Sequence, residues 1–396
     1  MVGQEGAVFE GALTDEERLV RDTVRDFAEL ELATGAAERD ETEHYDRSLF
    51  DGLAALGLTG APFPEAVGGG GLSYRAWTLV MEELGAADMA VAVSLSVHVL
   101  SQSPVVRWGT PDQHERWLPP MLRGERMGAF ALTEPGAGSD AAAIRLRATR
   151  VGPADAATAY RLDGTKIWIS NAPEAEHYLV FATLDPDAGP SAITAFLVEK
   201  GTPGFEFGRK ERKLGIRANP ASELVFRAAQ VPAANRLGAE GEGYRIALAA
   251  LGEGRISIAA ACTGIARAAL EAAARYVSDR RAFGGPLTNQ QGVRFMLAEM
   301  AQRVAIARAM THVAAGAKDR GEPIAEASSL AKWTASDAAM SVASDAVQLF
   351  GAAGYSRENP VERYLRDAKG AQIYEGTNQI HRLIVAEQLL RRLDLG

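Results

Sequence analysis

The hydrophobic period of this 396-residue chain changes twice, from helical to two-residue and back to helical, and that alternation most constrains its fold. Thr14-Asp15-Glu16-Glu17 has the form of a capping box, with Val20, Val24 and Phe27 following at helical spacing. Asp46 predicts a second helix start, with Leu49, Leu53 and Leu56 on one face before Gly57. Ser73 predicts another, running through Trp77, Val80 and Leu84, after the glycine loop Gly68 to Gly71. No Lys-Ser/Thr follows those glycines, so they read as a connection and not as a phosphate loop.

From about Arg126 the period becomes two. Tyr160 to Ile169 reads as two strands joined by a hairpin turn at Asp163-Gly164. Tyr178 to Leu184, Ile193 to Val198 and Glu223 to Phe226 are further β-rich runs. Ile144, Leu146 and Ala148 alternate with Arg145, Arg147 and Thr149, as in a half-buried strand. After Pro232 the helical period returns. Its runs cover Tyr244 to about Arg281, Asn289 to Gly321, Pro323 to Phe350, Val361 to about Lys369, and Gln379 to Leu393. Strands without intervening helices exclude a doubly wound sheet, and long amphipathic helices with short connections make a bundle. The chain therefore reads as an α+β multidomain protein. An N-terminal α-helical domain (1–125) precedes a middle antiparallel β-barrel or sandwich (126–235) and a C-terminal four-helix bundle (236–396).

Composition removes several function classes. A net charge of −9 argues against nucleic acid or anionic membrane as a partner. Cys262 is the only cysteine and sits in an alanine-rich helical run, so it reads as a small buried hydrophobe. With one cysteine and six scattered histidines, none paired at i,i+4, no metal site is expected. Ala86 to Leu100, the longest near-apolar stretch, reads as too short to cross a bilayer. Met1 to Leu13 lacks the basic and apolar regions of a secretory signal, so a cytoplasmic protein is expected.

Gly136-x-Gly138-x-x-Ala141 matches a dinucleotide fingerprint in form only, because a strand pattern follows it and no βαβ unit surrounds it. A glycine-rich turn can still bring backbone N–H groups, with the Thr133 and Ser139 hydroxyls, towards a polar or anionic ligand. There is no Gly-x-Ser-x-Gly elbow.

Five stretches occur together in a fixed order: Phe130-Ala131-Leu132-Thr133-Glu134-Pro135-Gly136-Ala137-Gly138-Ser139-Asp140, Gly164-Thr165-Lys166-Ile167-Trp168-Ile169-Ser170-Asn171, Arg280-Arg281-Ala282-Phe283-Gly284, Gln348-Leu349-Phe350-Gly351, and Arg366-Asp367-Ala368-Lys369 continuing to Ile373-Tyr374-Glu375-Gly376-Thr377-Asn378-Gln379-Ile380. On them the chain resembles the acyl-CoA dehydrogenase family, particularly its short-chain and general bacterial members, over nearly its whole length. The resemblance implies an α domain, a β-barrel and a four-helix bundle, in agreement with the periodicity.

It also implies FAD. Phe130, Leu132, Thr133, Trp168, Ile169 and Ser170 would contact the isoalloxazine. Arg280, Phe283, Gln291, Gln348 and Gly351 would hold the adenosine-diphosphate part from a neighbouring subunit, with Thr377 and Gln379 completing the site. A guanidinium suits a pyrophosphate because its planar fork donates two charge-assisted hydrogen bonds.

Glu375 would take the α-proton of an acyl-CoA thioester while the β-hydrogen leaves as hydride to flavin N5. A free glutamate is a weak base, so burial must raise its pKa for that task. The backbone N–H of Glu375 and a ribityl hydroxyl would bond the thioester oxygen. Among substrate-binding positions, Ser139 would contact CoA, Arg255 would support the loop bearing the base, and Tyr374 and Gly376 would flank it. Val93 to Ser103 would form the acyl-tail wall.

Some relatives carry the base just before the arginine matching Arg255. Gly254 stands there and cannot serve, and Glu253, one residue earlier, points about 100° away on a helix. Two positions depart from the family. Gly252 stands where many members have an aspartate near the pantetheine, and Ala352 where a second glycine is common. The implied partners are electron-transferring flavoprotein and copies of the chain in a homotetramer. Two alternatives stay open: an oxidase or flavin monooxygenase on the same scaffold, and a non-catalytic helical scaffold protein.

Overall fold

The structure is a computed structural model that describes residues 13–153 and 157–395; segment 1–12, read above for a secretory signal, lies outside them. Five of the six N-terminal helices start where a side chain satisfies a free N–H group. In α1 (Asp15–Phe27) the Thr14/Glu17 capping box is formed from both sides. After α2 (Ala36–Thr42), Asp46 caps α3 (Arg47–Ala55) and Ser73 caps α4 (Tyr74–Ala87), as the sequence predicts. Asp88 caps α5 (Met89–Trp108), and a Thr110/Gln113 box caps α6 (Pro111–Leu122). In α5 every residue from Met89 to Val105 is buried.

The middle segment is a sheet of β1 (Gly128–Ala131), β2 (Arg147–Val151), β3 (Ala159–Ser170), β4 (His177–Thr183), β5 (Ile193–Glu199), β6 (Phe205–Lys210), β7 (Ala221–Pro232) and β8 (Arg236–Leu237). Its order is β6-β7-β3-β2-β4-β5-β8, with β1 also on β4. Two features differ from the sequence reading. The sheet is mixed, because β1 and β2 each run parallel to β4. Asp163-Gly164 is not a hairpin turn: β3 runs straight through it, and the register against β7 shifts between Leu162 and Gly164. Gly164 has φ +141°, and the Asp163 carboxylate accepts a 2.7 Å bond from the Ala228 N–H across the pair. The dipeptide whose backbone suits a tight turn here forms a β-bulge.

The C-terminal bundle comprises α7 (Gly243–Asp279), α8 (Gln291–Asp319), α9 (Ala325–Phe350), α10 (Val361–Ala371) and α11 (Asn378–Arg392), with a short hairpin of β9 (Arg281–Ala282) and β10 (Gly285–Pro286) after α7. Small residues let α4 and α7 meet almost backbone to backbone. A Cβ on Gly85 would lie 2.3 Å from the Ala261 carbonyl oxygen, and one on Gly264 would lie 2.1 Å from that of Glu82. The Trp77 indole N–H donates to Ser257 across the same contact at 2.9 Å. Cys262 is buried there, as expected.

Two helices, Met89–Trp108 and Gly243–Asp279, are long and apolar enough to span a bilayer, so α5 outruns the stretch judged too short. Their most apolar windows are 94% and 72% buried inside the protein, which makes them core helices. The core of the described residues joins the helical segments to one face of the sheet, through Leu132, Leu179 and Leu197.

Candidate active site

Glu375 sits in the tight connection between α10 and α11. The Ile373 and Tyr374 N–H groups both donate to the Gly370 carbonyl (2.9 and 3.2 Å), which prolongs α10 by part of a turn. Glu375 and Gly376 then adopt left-handed backbone, with φ +54° and +93°. Glycine takes this conformation freely, but a glutamate there carries a cost of about 1–2 kcal/mol that its surroundings must offset. They do so from α9. Lys332 Nζ donates to the Gly376 carbonyl at 2.8 Å, and the Asn378 amide donates to Ser336 Oγ (2.9 Å) and Asp337 Oδ1 (2.7 Å). The Thr377 hydroxyl accepts from the Ile380 N–H and caps α11.

Although residue Glu375 is partly exposed, its Oε2 is buried and has no hydrogen-bond partner among the described residues. Facing it is α7 at Gly254, where a Cβ would lie 2.8 Å from Glu375 Oε2 and 3.1 Å from Leu100 Cδ1. The missing side chain at Gly254 is what gives the carboxylate room. Burial raises the Glu375 pKa to about 7, while the charges of Lys332 and Arg255 pull it the other way. Arg255 is itself buried, which lowers its pKa against the opposing effect of Glu375. The Tyr374 hydroxyl is buried without a partner among the described residues, and burial lifts its pKa well above the usual value. His381 lies against Gly376 and is neutral, since burial lowers its pKa to about 3.

Glu253, the rival carboxylate, is fully engaged. It accepts from Ser103 and Tyr74 and pairs with Lys318.

A second cluster forms where the end of β1 meets β3. The Ile167 N–H donates to the Thr133 carbonyl at 3.0 Å. Beneath it, the fully buried Lys166 donates to the Leu132 carbonyl (2.8 Å) and pairs with Glu134 (2.7 Å). Glu134 also accepts from the Arg145 and Leu146 N–H groups at 2.6 and 2.9 Å. This clamp fixes the segment carrying Leu132 and Thr133 against the strand carrying Trp168, Ile169 and Ser170. Ile169 is buried, but Trp168 has φ +59° and is 52% exposed, unusual for a tryptophan within a strand. Phe130 is half-buried and tilts against Phe181 with ring centroids 5.0 Å apart.

Helix α5 connects the two clusters. The Gly128 N–H at the start of β1 donates to His98 Nδ1 (2.9 Å), and Asn171 at the end of β3 donates to the carbonyls of Ser94 and Gly128. Leu100, two residues after His98, is the residue that meets the Gly254 gap beside Glu375.

Other sites read from the sequence lie on the surface. Ser139 is exposed beyond the turn closed by reciprocal Glu134–Ala137 backbone bonds. Arg280, Phe283, Gln291, Gln348 and Gly351 are all exposed at one end of the bundle, where Tyr276 stacks on Phe350 at 4.1 Å. Among the described residues no hydrogen bond or ring contact joins them to Glu375 or Trp168. Gln379 is exposed on the first turn of α11. Sequence reasoning assigned no role to Lys332, Lys166 or Glu134. The available signal for Lys332 was a lysine at i+4 from Ser328 and i−4 from Ser336, on a face otherwise made of small residues.

Three family models cover most of the chain: the acyl-CoA dehydrogenase N-terminal domain at residues 14–125, its middle domain at 129–229 and its C-terminal domain at 241–390. The chain belongs to the acyl-CoA dehydrogenase family. It is 45% identical over 379 residues to an acyl-CoA dehydrogenase of Bacillus subtilis, covering 96% of this chain and 99% of that protein. It is 45% identical over 386 residues to the short-chain specific acyl-CoA dehydrogenase of Megasphaera elsdenii, with the same coverage. The solved butyryl-CoA dehydrogenase of M. elsdenii superposes with a TM-score of 0.93 at 44% identity, over 96% of this chain and 99% of that one. A chain solved in work on the electron transferring flavoprotein of Acidaminococcus fermentans gives 0.93 at 43%, over 96% and 99%.

This acyl-CoA dehydrogenase is thus an oxidoreductase acting on CH–CH bonds, and FAD is its cofactor. The residues present fit that cofactor. A half-exposed Trp168 is held by positive φ in β3 beside the clamped Leu132–Glu134 segment, and the Cβ positions of Gly136 and Gly138 face open space.

Proposed function

We propose that the enzyme desaturates a short-chain acyl-CoA between Cα and Cβ, with Glu375 removing the α-proton, and passes electrons to an electron-transferring flavoprotein. The observation that carries this reading is the Glu375 carboxylate. It is buried, its Oε2 is unbonded among the described residues, and it titrates near neutral pH. An ordinary surface glutamate would be too weak a base and too well solvated to take a C–H proton.

The neighbouring residues suit the remaining tasks. The Glu375 N–H donates to no acceptor among the described residues, which leaves it free for the thioester oxygen. A donor placed on a developing oxyanion is worth about 3–4 kcal/mol. With Gly254 lacking a side chain and Glu253 tied to three partners, no second carboxylate competes on that helix. Leu100 and the buried face of α5 supply the apolar wall that keeps water from the carboxylate.

Bound FAD supplies a hydride acceptor for the β-hydrogen. Phe130, Leu132, Thr133, Trp168, Ile169 and Ser170 hold its ring, Thr377 and Gln379 border it, and Ser139 bonds the CoA part. The exposed Arg280, Phe283, Gln291, Gln348 and Gly351 serve the site of a neighbouring copy, consistent with Phe283 being 89% exposed here. Of the possible assemblies, a homotetramer of paired dimers is the proposed form.

The test is anaerobic addition of acyl-CoAs, from butyryl-CoA to palmitoyl-CoA, to the yellow holoenzyme. Bleaching of the flavin absorbance with formation of the 2-enoyl-CoA, fastest at the short end, is expected. A flavin that stays oxidised with every member of the series refutes the reading.

A further inference from the structure

Lys332 is 0% exposed in the middle of α9, and its ammonium group donates only to neutral oxygens, the Gly376 carbonyl at 2.8 Å and Asn378 Oδ1 at 3.3 Å. No carboxylate forms an ion pair with it among the described residues. Burying a lone ammonium is unfavourable, and the usual outcome is a partner charge close by or a lowered pKa. Its pKa is lowered to about 8 by burial, partly offset by the nearby Cys262 and Glu375.

The charged and titratable groups around Lys332 come from three elements and the base loop. From α7 come Cys262 and Arg255, from the loop Tyr374 and Glu375, from α11 His381, and from α9 itself Asp337. Asp337 is already shared by Trp333, Gln372 and Asn378, with Arg382 at 3.6 Å. Arg255 repels Lys332, Cys262 is a thiol whose own pKa burial pushes up to about 12, and His381 is neutral. Glu375 is the anion left for Lys332 to face.

Holding the loop does not by itself demand a lysine. Asn378 already anchors the loop to Ser336 and Asp337, and a neutral amide could donate to the Gly376 carbonyl as well. What a neutral residue cannot supply is the charge.

We propose that Lys332 is the positioning residue of the base: it fixes the backbone just after Glu375 through the Gly376 carbonyl, and its buried charge favours the Glu375 carboxylate. The inference rests on Glu375 being the base. It gives the site two opposed controls on one ionisation, with burial weakening the acid and Lys332, with Arg255, strengthening it. Without Lys332 the glutamate would be mostly protonated at neutral pH, and only a minor fraction could accept a proton.

The test compares Lys332→Gln, Lys332→Met and Lys332→Arg holoenzymes with wild type. Anaerobic stopped-flow reduction by butyryl-CoA is followed from mildly acidic to alkaline pH. Lys332→Gln retains a donor for Gly376 but no charge, so its rate midpoint moves to higher pH by about one pH unit, with a rate about fivefold lower at about pH 7. Lys332→Met shows at least that displacement. Lys332→Arg keeps the charge and the wild-type midpoint. Lys332→Gln titrating at the wild-type midpoint overturns the proposal. Should the neutral variants not fold, Lys332→Arg decides alone, because a midpoint displaced by about one unit in a variant that keeps the charge is incompatible with it. A Glu375→Gln control separates the two claims. Fast reduction of that control by substrate removes the base assignment, whereas a silent control beside an unshifted Lys332→Gln removes only the role of Lys332.

Discussion

Replacing Gly254 with alanine separates the stability of this fold from its chemistry. Gly254 lies inside α7, and alanine is the better helix former by about 1 kcal/mol at an interior position. The added methyl would sit 2.8 Å from Glu375 Oε2, 3.2 Å from its Cδ and 3.1 Å from Leu100 Cδ1. Comfortable carbon–oxygen separation is nearer ~3.4 Å, so the carboxylate must retreat by roughly half an ångström. Because Oε2 has no hydrogen bond to break among the described residues, that retreat costs the fold little. It costs the reaction more. Misplacing a reacting group by ~1 Å can lose about 10²-fold, so half that displacement corresponds to about tenfold. Thermal unfolding should therefore show Gly254→Ala as stable as wild type or slightly more so, with its flavin retained. Stopped-flow reduction by butyryl-CoA should be about tenfold slower. An unchanged rate in a normally stable variant would show that the carboxylate facing Gly254 is not the one that reacts.

Three other outcomes follow from the same geometry. Since Glu375 must be ionised to accept a proton and burial raises its pKa to about 7, the rate of flavin reduction should rise with pH through a midpoint near that value. The same raised pKa means that the folded state disfavours the charged form. The penalty is absent below the ordinary glutamate pKa of about 4.5, grows as pH rises towards 7, and is constant above it. Glu375→Gln should therefore be more stable than wild type at pH 8, by up to about 3 kcal/mol in denaturant titration, and no more stable at pH 4. Lys166→Met leaves Glu134 buried without its cation, which should cost about 3–5 kcal/mol in unfolding and loosen FAD, read as flavin lost on gel filtration.

The helices were legible because their signals are local. Thr14, Asp46 and Ser73 each cap the helix that their spacing announces, and the five C-terminal runs end within a few residues of the observed helices. The strand segment was legible in kind but not in topology. Asp163-Gly164 suits a hairpin locally, yet the pairing of β3 with β7 on both sides of it makes it a bulge. That pairing is a tertiary fact with no local mark. The parallel contact of β1 with β4 is of the same kind.

At the site, Glu375 was legible through its motif and not through its residue type, since a glutamate beside a glycine is normally surface. Its burial, and the empty position at Gly254 opposite, arise from the approach of α7 to a loop more than 100 residues later in the chain. For the same reason Lys166 and Glu134 gave no sign of being a buried pair, since 32 positions separate them. Trp168 taken alone would read as a core residue; its motif placed it at the flavin, and in the fold its positive φ and 52% exposure set it apart from a core tryptophan.

The most direct measurement is a single anaerobic turnover of the Glu375→Gln holoenzyme with butyryl-CoA. The glutamine keeps the size of the side chain and the backbone N–H but cannot take up a proton, so the variant should bind FAD and reduce it about 10³-fold or more slowly than wild type. Reduction to completion at a rate within about tenfold of wild type would mean that another group abstracts the proton.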